Sequence, residues 1–395
     1  MKRIILVGDG MGDYPHAELG DRTVLQAARI PNLRRIAAAG RIRQVRTVPS
    51  GMSPGSDVAN LSLLGYDPAA NYTGRAPIEA AGAGIHLSPR DIAVRCNLVT
   101  VEDGRMIDYS AGHISTAEGR ALIEAVASEL SGAGPAFHAG VSYRHLAVWP
   151  DGSENWVSAP PHDIAGQTVA SHLPNGEGAE PVRAWIEASA RVFADHPVNL
   201  RRRAEGKAAA THIWLWGQGR ALTLKTFPEQ YGLRGGVVTA VDLVRGLGVL
   251  AGLDAPRIPG ATGFLDTDYA AKVKTAHGML DTADFVYVHI EAPDECGHMG
   301  DVQKKIQACE EFDARVVGPL WEYLENKGEP YRLIATTDHR TPCALRGHTG
   351  EPVPLAILEG PVGARTAEAP FDETAGAGEE AAFAFDVVRE ALRCQ

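Results

Sequence analysis

Arg3-Ile4-Ile5-Leu6-Val7-Gly8-Asp9-Gly10-Met11-Gly12-Asp13 decides the fold. Residues 3–8 form a short, almost wholly apolar run that stops at an acid and a cluster of glycines. Such a run suits a strand buried on both faces, as in a parallel sheet covered by helices. Working outward, similar runs stand at 212–217, 285–290, 332–336 and 354–358. Amphipathic helical patterns lie between or beside them, at 22–38, 237–251 and 301–326. Strands alternating with helices predict an α/β core: a parallel sheet flanked by helices.

The middle of the chain has another texture. Residues 82–206 are rich in Gly, Pro, His and Ala, with strand patterns at 92–101 and 142–149 and helical patterns at 117–130 and 180–194. The expected organisation is a core domain formed by 1–81 and 207–395, with a smaller α+β domain, 82–206, inserted into it.

The chain has 395 residues, 45% of them hydrophobic, and a formal net charge of −11. That length allows a large core and about two domains. The acidic balance argues against a nucleic-acid partner, because phosphate neutralisation needs clustered Lys and Arg. A small anionic substrate remains compatible if basic groups converge locally. The five cysteines include no C-x-x-C pair, which fits a reducing compartment. The apolar run after Met1-Lys2-Arg3 is too short for a signal peptide. The longer apolar region at 235–253 is interrupted by Asp242 and Arg245, so no membrane span is expected. A cytoplasmic location follows as the expectation.

Three strand patterns lead into acids or histidines. The first reaches Asp9, that at 285–290 reaches Asp294 and His298, and that at 332–336 reaches Asp338 and His339, with His348 soon after. Ligands of open parallel sheets bind beyond the carboxyl ends of the strands, so these groups should gather at one edge. Each acid alone reads as readily as a helix cap. Together they would repel and desolvate one another, a cost that divalent cations remove; carboxylate and imidazole donors suit Mn, Zn or Mg. Asp294 and His298, four residues apart, share one side of a helical turn. Gly8-x-Gly10-x-Gly12 misses the dinucleotide spacing G-x-G-x-x-G, and no phosphate-binding loop of the G-x-x-x-x-G-K-[ST] type occurs.

Pro54-Gly55-Ser56-Asp57-Val58-Ala59-Asn60 begins a helical pattern. Ser56 can be read as an N-cap. It can also be read as a nucleophile at a helix N-terminus, where backbone N–H groups receive a phosphoryl group and metal ions activate the hydroxyl. Ser53 and Ser62 compete for that role.

These segments, with Ala292-Pro293-Asp294-Glu295-Cys296-Gly297-His298, Thr337-Asp338-His339, Gly347-His348-Thr349 and Trp214-Leu215-Trp216-Gly217-Gln218-Gly219, resemble the alkaline phosphatase superfamily. Within it the chain is similar to the cofactor-independent phosphoglycerate mutases of the shorter archaeal type, over nearly its whole length. The resemblance implies an alkaline phosphatase-like core and two divalent metal ions, Mn first among the candidates. Asp294, His298 and His348 would hold one ion; Asp9, Ser56, Asp338 and His339 would hold the other. It also implies a ping-pong reaction in which Ser56 carries the phosphoryl group between the hydroxyls of phosphoglycerate. The inserted domain would act as a lid that retains glycerate and excludes water. Its expected substrate contacts are Arg75, Arg95, Asp108, Arg144, His145 and His162, with Arg201 a further candidate. Met106-Ile107-Asp108-Tyr109-Ser110-Ala111-Gly112-His113 departs from the mutase pattern, because Tyr109, Ser110 and His113 stand where the archaeal enzymes carry arginines. Ser142-Tyr143-Arg144-His145 and Pro160-Pro161-His162-Asp163 resemble a bacterial subgroup proposed to be homoserine kinases, which is the alternative function. The C/S-x-P-x-R pattern of sulfatases is missing.

Overall fold

The computed structural model describes residues 1–130, 132, 134–363, 367–376, 378 and 380–393. The chain divides into two compact units, Met1–Tyr72 with Thr223–Gln395, and Thr73–Leu222.

The first unit is built on a seven-stranded sheet in the order Gly235–Val238, Phe285–Ile290, Lys2–Gly8, Tyr331–Thr337, Val353–Gly360, Arg41–Arg46, Ala382–Phe383. The first four strands are mutually parallel. Val353–Gly360 runs antiparallel to both neighbours, correcting the expectation that 354–358 is a parallel strand. No helix lies between it and Tyr331–Thr337, so the chain never crosses back to restore the direction.

Register positions the site. Gly8 pairs with Ile290 on one side and Thr337 on the other, so Asp9, Glu291 and Asp338 follow at one level. Side chains alternate along each strand. Ile4, Leu6, Val286, Val288, Leu333 and Ala335 pack into the core that holds Phe312, Leu320 and Trp321. Tyr287 and His289 therefore face the opposite side of the sheet.

The helical patterns were interrupted where the chemistry demands it. The 22–38 pattern splits into Val24–Ala27 and Pro31–Ala39, because Pro31 fits only the first turn of a helix. The 237–251 pattern is a strand to Val238 and a helix from Asp242–Leu250. The 301–326 pattern widens into a π turn over Asp313–Val317, just before Pro319, which lacks an N–H for a regular bond.

The second unit centres on Ile92–Glu102, antiparallel to Arg144–Trp149, His212–Arg220 and Arg105–Asp108. Thr116–Glu129 and Ala179–Ala194 contribute Leu122, Ile123, Val126, Val182, Trp185 and Ile186 to its core. The strand at 212–217 thus belongs to this antiparallel sheet and not to the parallel one. For that reason the unit extends beyond 82–206: it takes in His212–Arg220 and the helix Arg75–Ala83, whose Ala76 and Ala80 pack with Ala93 and Leu146. Its two ends meet. Thr73 Oγ1 donates to the Arg220 carbonyl at 2.8 Å. Gly74, at φ +137°, passes so close to Gln218 that a β-carbon would sit 2.4 Å from the carbonyl oxygen.

Candidate active site

Three level strand ends and the helix Ser56–Leu63 bring the acids and histidines together. Asp9 is buried. Its Oδ2 lies 3.2 Å from His289 Nε2 and its Oδ1 3.5 Å from His339 Nε2. Neither approach is aligned as a hydrogen bond, and among the described residues Asp9 Oδ1 has no hydrogen-bond partner. Asp338 is fully buried and well bonded: Gly10 N–H and His339 N–H donate to Oδ1 at 3.0 and 2.9 Å, and Asn60 Nδ2 donates to Oδ2 at 2.8 Å. His339 Nε2 lies 3.2 Å from Ser56 Oγ.

The second group stands on the helix Ala292–Met299 and the loop after Asp338. Asp294 Oδ2 is 3.2 Å from His298 Nε2, and Oδ1 is 3.4 Å from His348 Nε2. The two Nε2 atoms are 2.9 Å apart. His298 Nδ1 lies 3.0 Å from the Arg346 carbonyl, which can only accept. That contact holds a proton on Nδ1, so that in the neutral ring the lone pair is on Nε2. His339 is arranged alike: its Nδ1 is 3.2 Å from Thr341 Oγ1, whose own proton goes to Asp294 Oδ1. Imidazoles oriented this way present Nε2 to a metal.

Electrostatics separates the acids. Burial, then Asp338, Asp294 and Glu291, push the Asp9 carboxyl well above its ordinary value. Burial also pushes Asp294 upward, but hydrogen bonds from His298 and His348 and the nearby imidazole charges outweigh it and hold the group well below the usual range. Burial pushes the His289 imidazole down to about 4. An orphaned buried carboxylate oxygen, mutually repelling acids and imidazoles whose Nε2 atoms converge on them are what a divalent cation would satisfy. The donor atoms of Asp9, Asp338 and His339 lie within 4.8 Å of one another, as do those of Asp294, His339 and His348. These side chains are therefore spaced to hold divalent cations, and His339 reaches both groups.

Ser56 is the first residue of its helix, half-buried, and Gly55 occupies the cap position. The N-cap reading of Ser56 is thereby replaced. Ser53 is exposed outside the helix, and Ser62 is fully buried two turns on.

In the second unit, Arg75 and Arg95 both pair with Glu79, at 2.8 and 2.9 Å, and Arg95 stacks 4.0 Å above Trp216. Asp108 accepts from Ser110 N–H, Ser110 O–H and Gly112 N–H, closing its own turn. His145 is buried and accepts from Gly140 N–H at 3.0 Å; burial pushes its imidazole down to about 4. Arg201 pairs with Glu118 at 3.4 Å. Arg144 is exposed, with its guanidinium 5.6 Å from the Tyr143 ring. His162 is exposed beside the rings of Tyr109 and Trp216. Most of the expected substrate contacts thus have partners within their own unit, and Arg144 and His162 are exposed, His162 with its Nε2 3.6 Å from Asp163 Oδ1.

The family model described as 2,3-bisphosphoglycerate-independent phosphoglycerate mutase matches residues 37–199. A Geobacter sulfurreducens protein named as a probable 2,3-bisphosphoglycerate-independent phosphoglycerate mutase is 51% identical over 377 residues, 94% of either chain. The chain belongs to the 2,3-bisphosphoglycerate-independent phosphoglycerate mutase family. A Methanosarcina mazei protein of that name is 51% identical over 359 residues, 90% of either chain. Among solved structures, a Pyrococcus horikoshii protein superposes with a TM-score of 0.82 at 30% identity, over 99% of this chain and 97% of the other. The cofactor-independent phosphoglycerate mutase of Thermoplasma acidophilum superposes at 0.64 and 27% identity, over 99% of both.

Within this family member, one further set of side chains has metal-like spacing: Asp13, His16 and Cys343. Its chemistry is already closed. Lys305, fully buried, donates to Asp13 Oδ2 at 3.0 Å, while Tyr14 N–H, Cys343 N–H and His16 Nε2 approach Oδ1. Burial pushes Asp13 upward, yet the Lys305 charge and hydrogen bonds outweigh it and lower the carboxyl. Asp13 anchors a buried ammonium. Sequence reasoning missed Asn60, Tyr287, His289 and Thr341. The available signals were polar residues at alternate positions of the apolar run 285–290, and an amide one helical turn after Ser56.

Proposed function

We propose that the chain interconverts 3-phosphoglycerate and 2-phosphoglycerate without 2,3-bisphosphoglycerate, in the cytoplasm, through a phosphoserine at Ser56 and with two divalent ions, Mn first. The observation that carries this reading is Ser56 Oγ at 3.2 Å from His339 Nε2, at a helix start beside both groups of ligands. Asp294, His298 and His348 would hold one ion and Asp9, Asp338 and His339, with Ser56, the other. Bound there, the ions would lower the pKa of the serine hydroxyl and neutralise charge on the transferring phosphoryl group.

The protein's own groups supply position. The amides of the Ser56 helix favour an arriving phosphoryl group. Gly10 N–H, His339 N–H and Asn60 keep Asp338 fixed. Residues of the inserted segment, Arg144 and His162 foremost, would hold the carboxylate of glycerate as a lid segment excludes water. The relatives' shared mutase name supports an isomerase over the homoserine kinase alternative. The deciding assay supplies Mn and 3-phosphoglycerate without bisphosphoglycerate, with homoserine and ATP as a parallel arm. Formation of 2-phosphoglycerate is expected; its failure to form, or phosphohomoserine as the product, would overturn the proposal.

A further inference from the structure

Asn60 is fully buried, one helical turn after Ser56. Its amide nitrogen donates to the Ser56 carbonyl at 2.8 Å and to Asp338 Oδ2 at 2.8 Å. Its amide oxygen accepts from the hydroxyl of Tyr287, fully buried on the strand Phe285–Ile290, at 2.5 Å. A carbonyl and a carboxylate can only accept, so the NH2 end must face them and the oxygen must face the tyrosine. Each hydrogen on Asn60 is therefore committed, one to the residue that bears the reacting hydroxyl and one to a carboxylate of the metal groups.

We propose that Asn60, held by Tyr287, is the positioning pair that registers Ser56 against Asp338. The inference rests on the phosphoserine reading of Ser56. Burying an amide and a phenol beside a carboxylate is costly unless every group is satisfied, and here each satisfies the next. An apolar pair would fill the same space without fixing where the helix start lies relative to the strand end. Tyr287 stays a neutral donor, since burial and the charges of Asp338 and Asp9 push its hydroxyl far above ordinary ionisation. Reacting atoms tolerate little displacement: an error of about 1 Å can lower turnover about 100-fold. Loss of the phenol oxygen leaves the amide oxygen unpaired and frees the side chain to turn, so Ser56 and Asp338 lose their common reference.

The test uses Tyr287→Phe, a single-atom deletion, with Asn60→Ala and the double variant in the full chain. Turnover with Mn and Mn affinity by chelator competition are measured for each. Tyr287→Phe should lower kcat about 10-fold with KM within about twofold, and weaken one Mn site about 10-fold while sparing the other. The double variant should be no worse than Asn60→Ala, because the two residues act in series. Tyr287→Phe with kcat and both Mn affinities near the parent's, or losses that multiply in the double variant, would overturn the proposal. A loss shared equally by both Mn sites would also overturn it, since that is what a general packing defect produces. Mn affinity needs no turnover, so it judges the pair even if the phosphoserine reading fails; Ser56→Ala judges that reading separately.

Discussion

Replacing Asp9 by Asn should stabilise the metal-free protein and destabilise the metal-loaded one. The folded Asp9 carboxyl is pushed well above its ordinary value of 3.8, by burial first and then by Asp338, Asp294 and Glu291. Below pH 3.8 both folded and unfolded chains hold the proton, and Asp9 costs nothing. As pH rises the unfolded chain releases it while the folded chain retains it, so stability falls until the folded pKa is passed. The cost can be sized from geometry. Donor atoms of Asp9 and Asp338 lie within 4.8 Å, and like charges at that distance repel by about 3 kcal/mol at an effective dielectric near 20. Asn removes this term. At pH 8 in chelator, scanning calorimetry should show the variant melting about 6 °C above the parent. Excess Mn reverses the order: at about 1,000 times its dissociation constant a bound ion adds about 4.1 kcal/mol to the parent, more than the roughly 3 kcal/mol of repulsion, and the variant gains far less. If Asp9→Asn lowers the melting point equally in chelator and in Mn, Asp9 is a structural group and the metal argument built on it fails.

Other perturbations have equally definite outcomes. Ser56→Ala should abolish turnover and phosphoenzyme detected by mass spectrometry, while keeping Mn affinity within about tenfold because Ser56 is one ligand among several. In the metal-free protein burial pushes His298 down, but its bond to Asp294 and that carboxylate's charge raise it to about 9. An NMR titration should find that midpoint. The stabilisation it reports is full below pH 6.5 and disappears as pH rises through about 9, and Mn should abolish the titration. Glu79→Gln leaves buried Arg95 without its counter-charge, and denaturant unfolding should show a loss of about 3 kcal/mol. Because the Arg95 and Arg75 charges hold the Glu79 carboxyl low against the effect of burial, the parent's advantage should also vanish as pH falls below 4.5.

The strand-end acids were legible because a buried parallel strand leaves an unmistakable trace: a short apolar run that stops at a charged residue. Asp9, Asp294 and Asp338 all follow such runs. Strand direction leaves no such trace. Val353–Gly360 is as apolar as its parallel neighbours, and only the missing helix before it betrays the reversal. Likewise His212–Arg220 reads like a core strand because its sheet, too, is buried on both faces. Asp108 could not be assigned from its neighbours, since an aspartate that caps Ser110 and Gly112 looks the same as one that meets a ligand. Tyr287 and His289 were concealed within an apolar run, because their partners lie far off in the chain: Asn60 is 227 residues from Tyr287.

The meeting of Thr73 with Arg220 makes the second unit a module with a single doorway. A chain segment whose two ends are stitched together can be lengthened, shortened or exchanged without stretching the sheet it interrupts. On the proposed substrate contacts, acceptor preference would rest on residues of this module such as Arg144 and His162, while the phosphoryl chemistry stays with Ser56 and its neighbours, so the two could evolve at different rates. Grafting the corresponding segment of a relative between Tyr72 and Thr223 tests that division of labour directly.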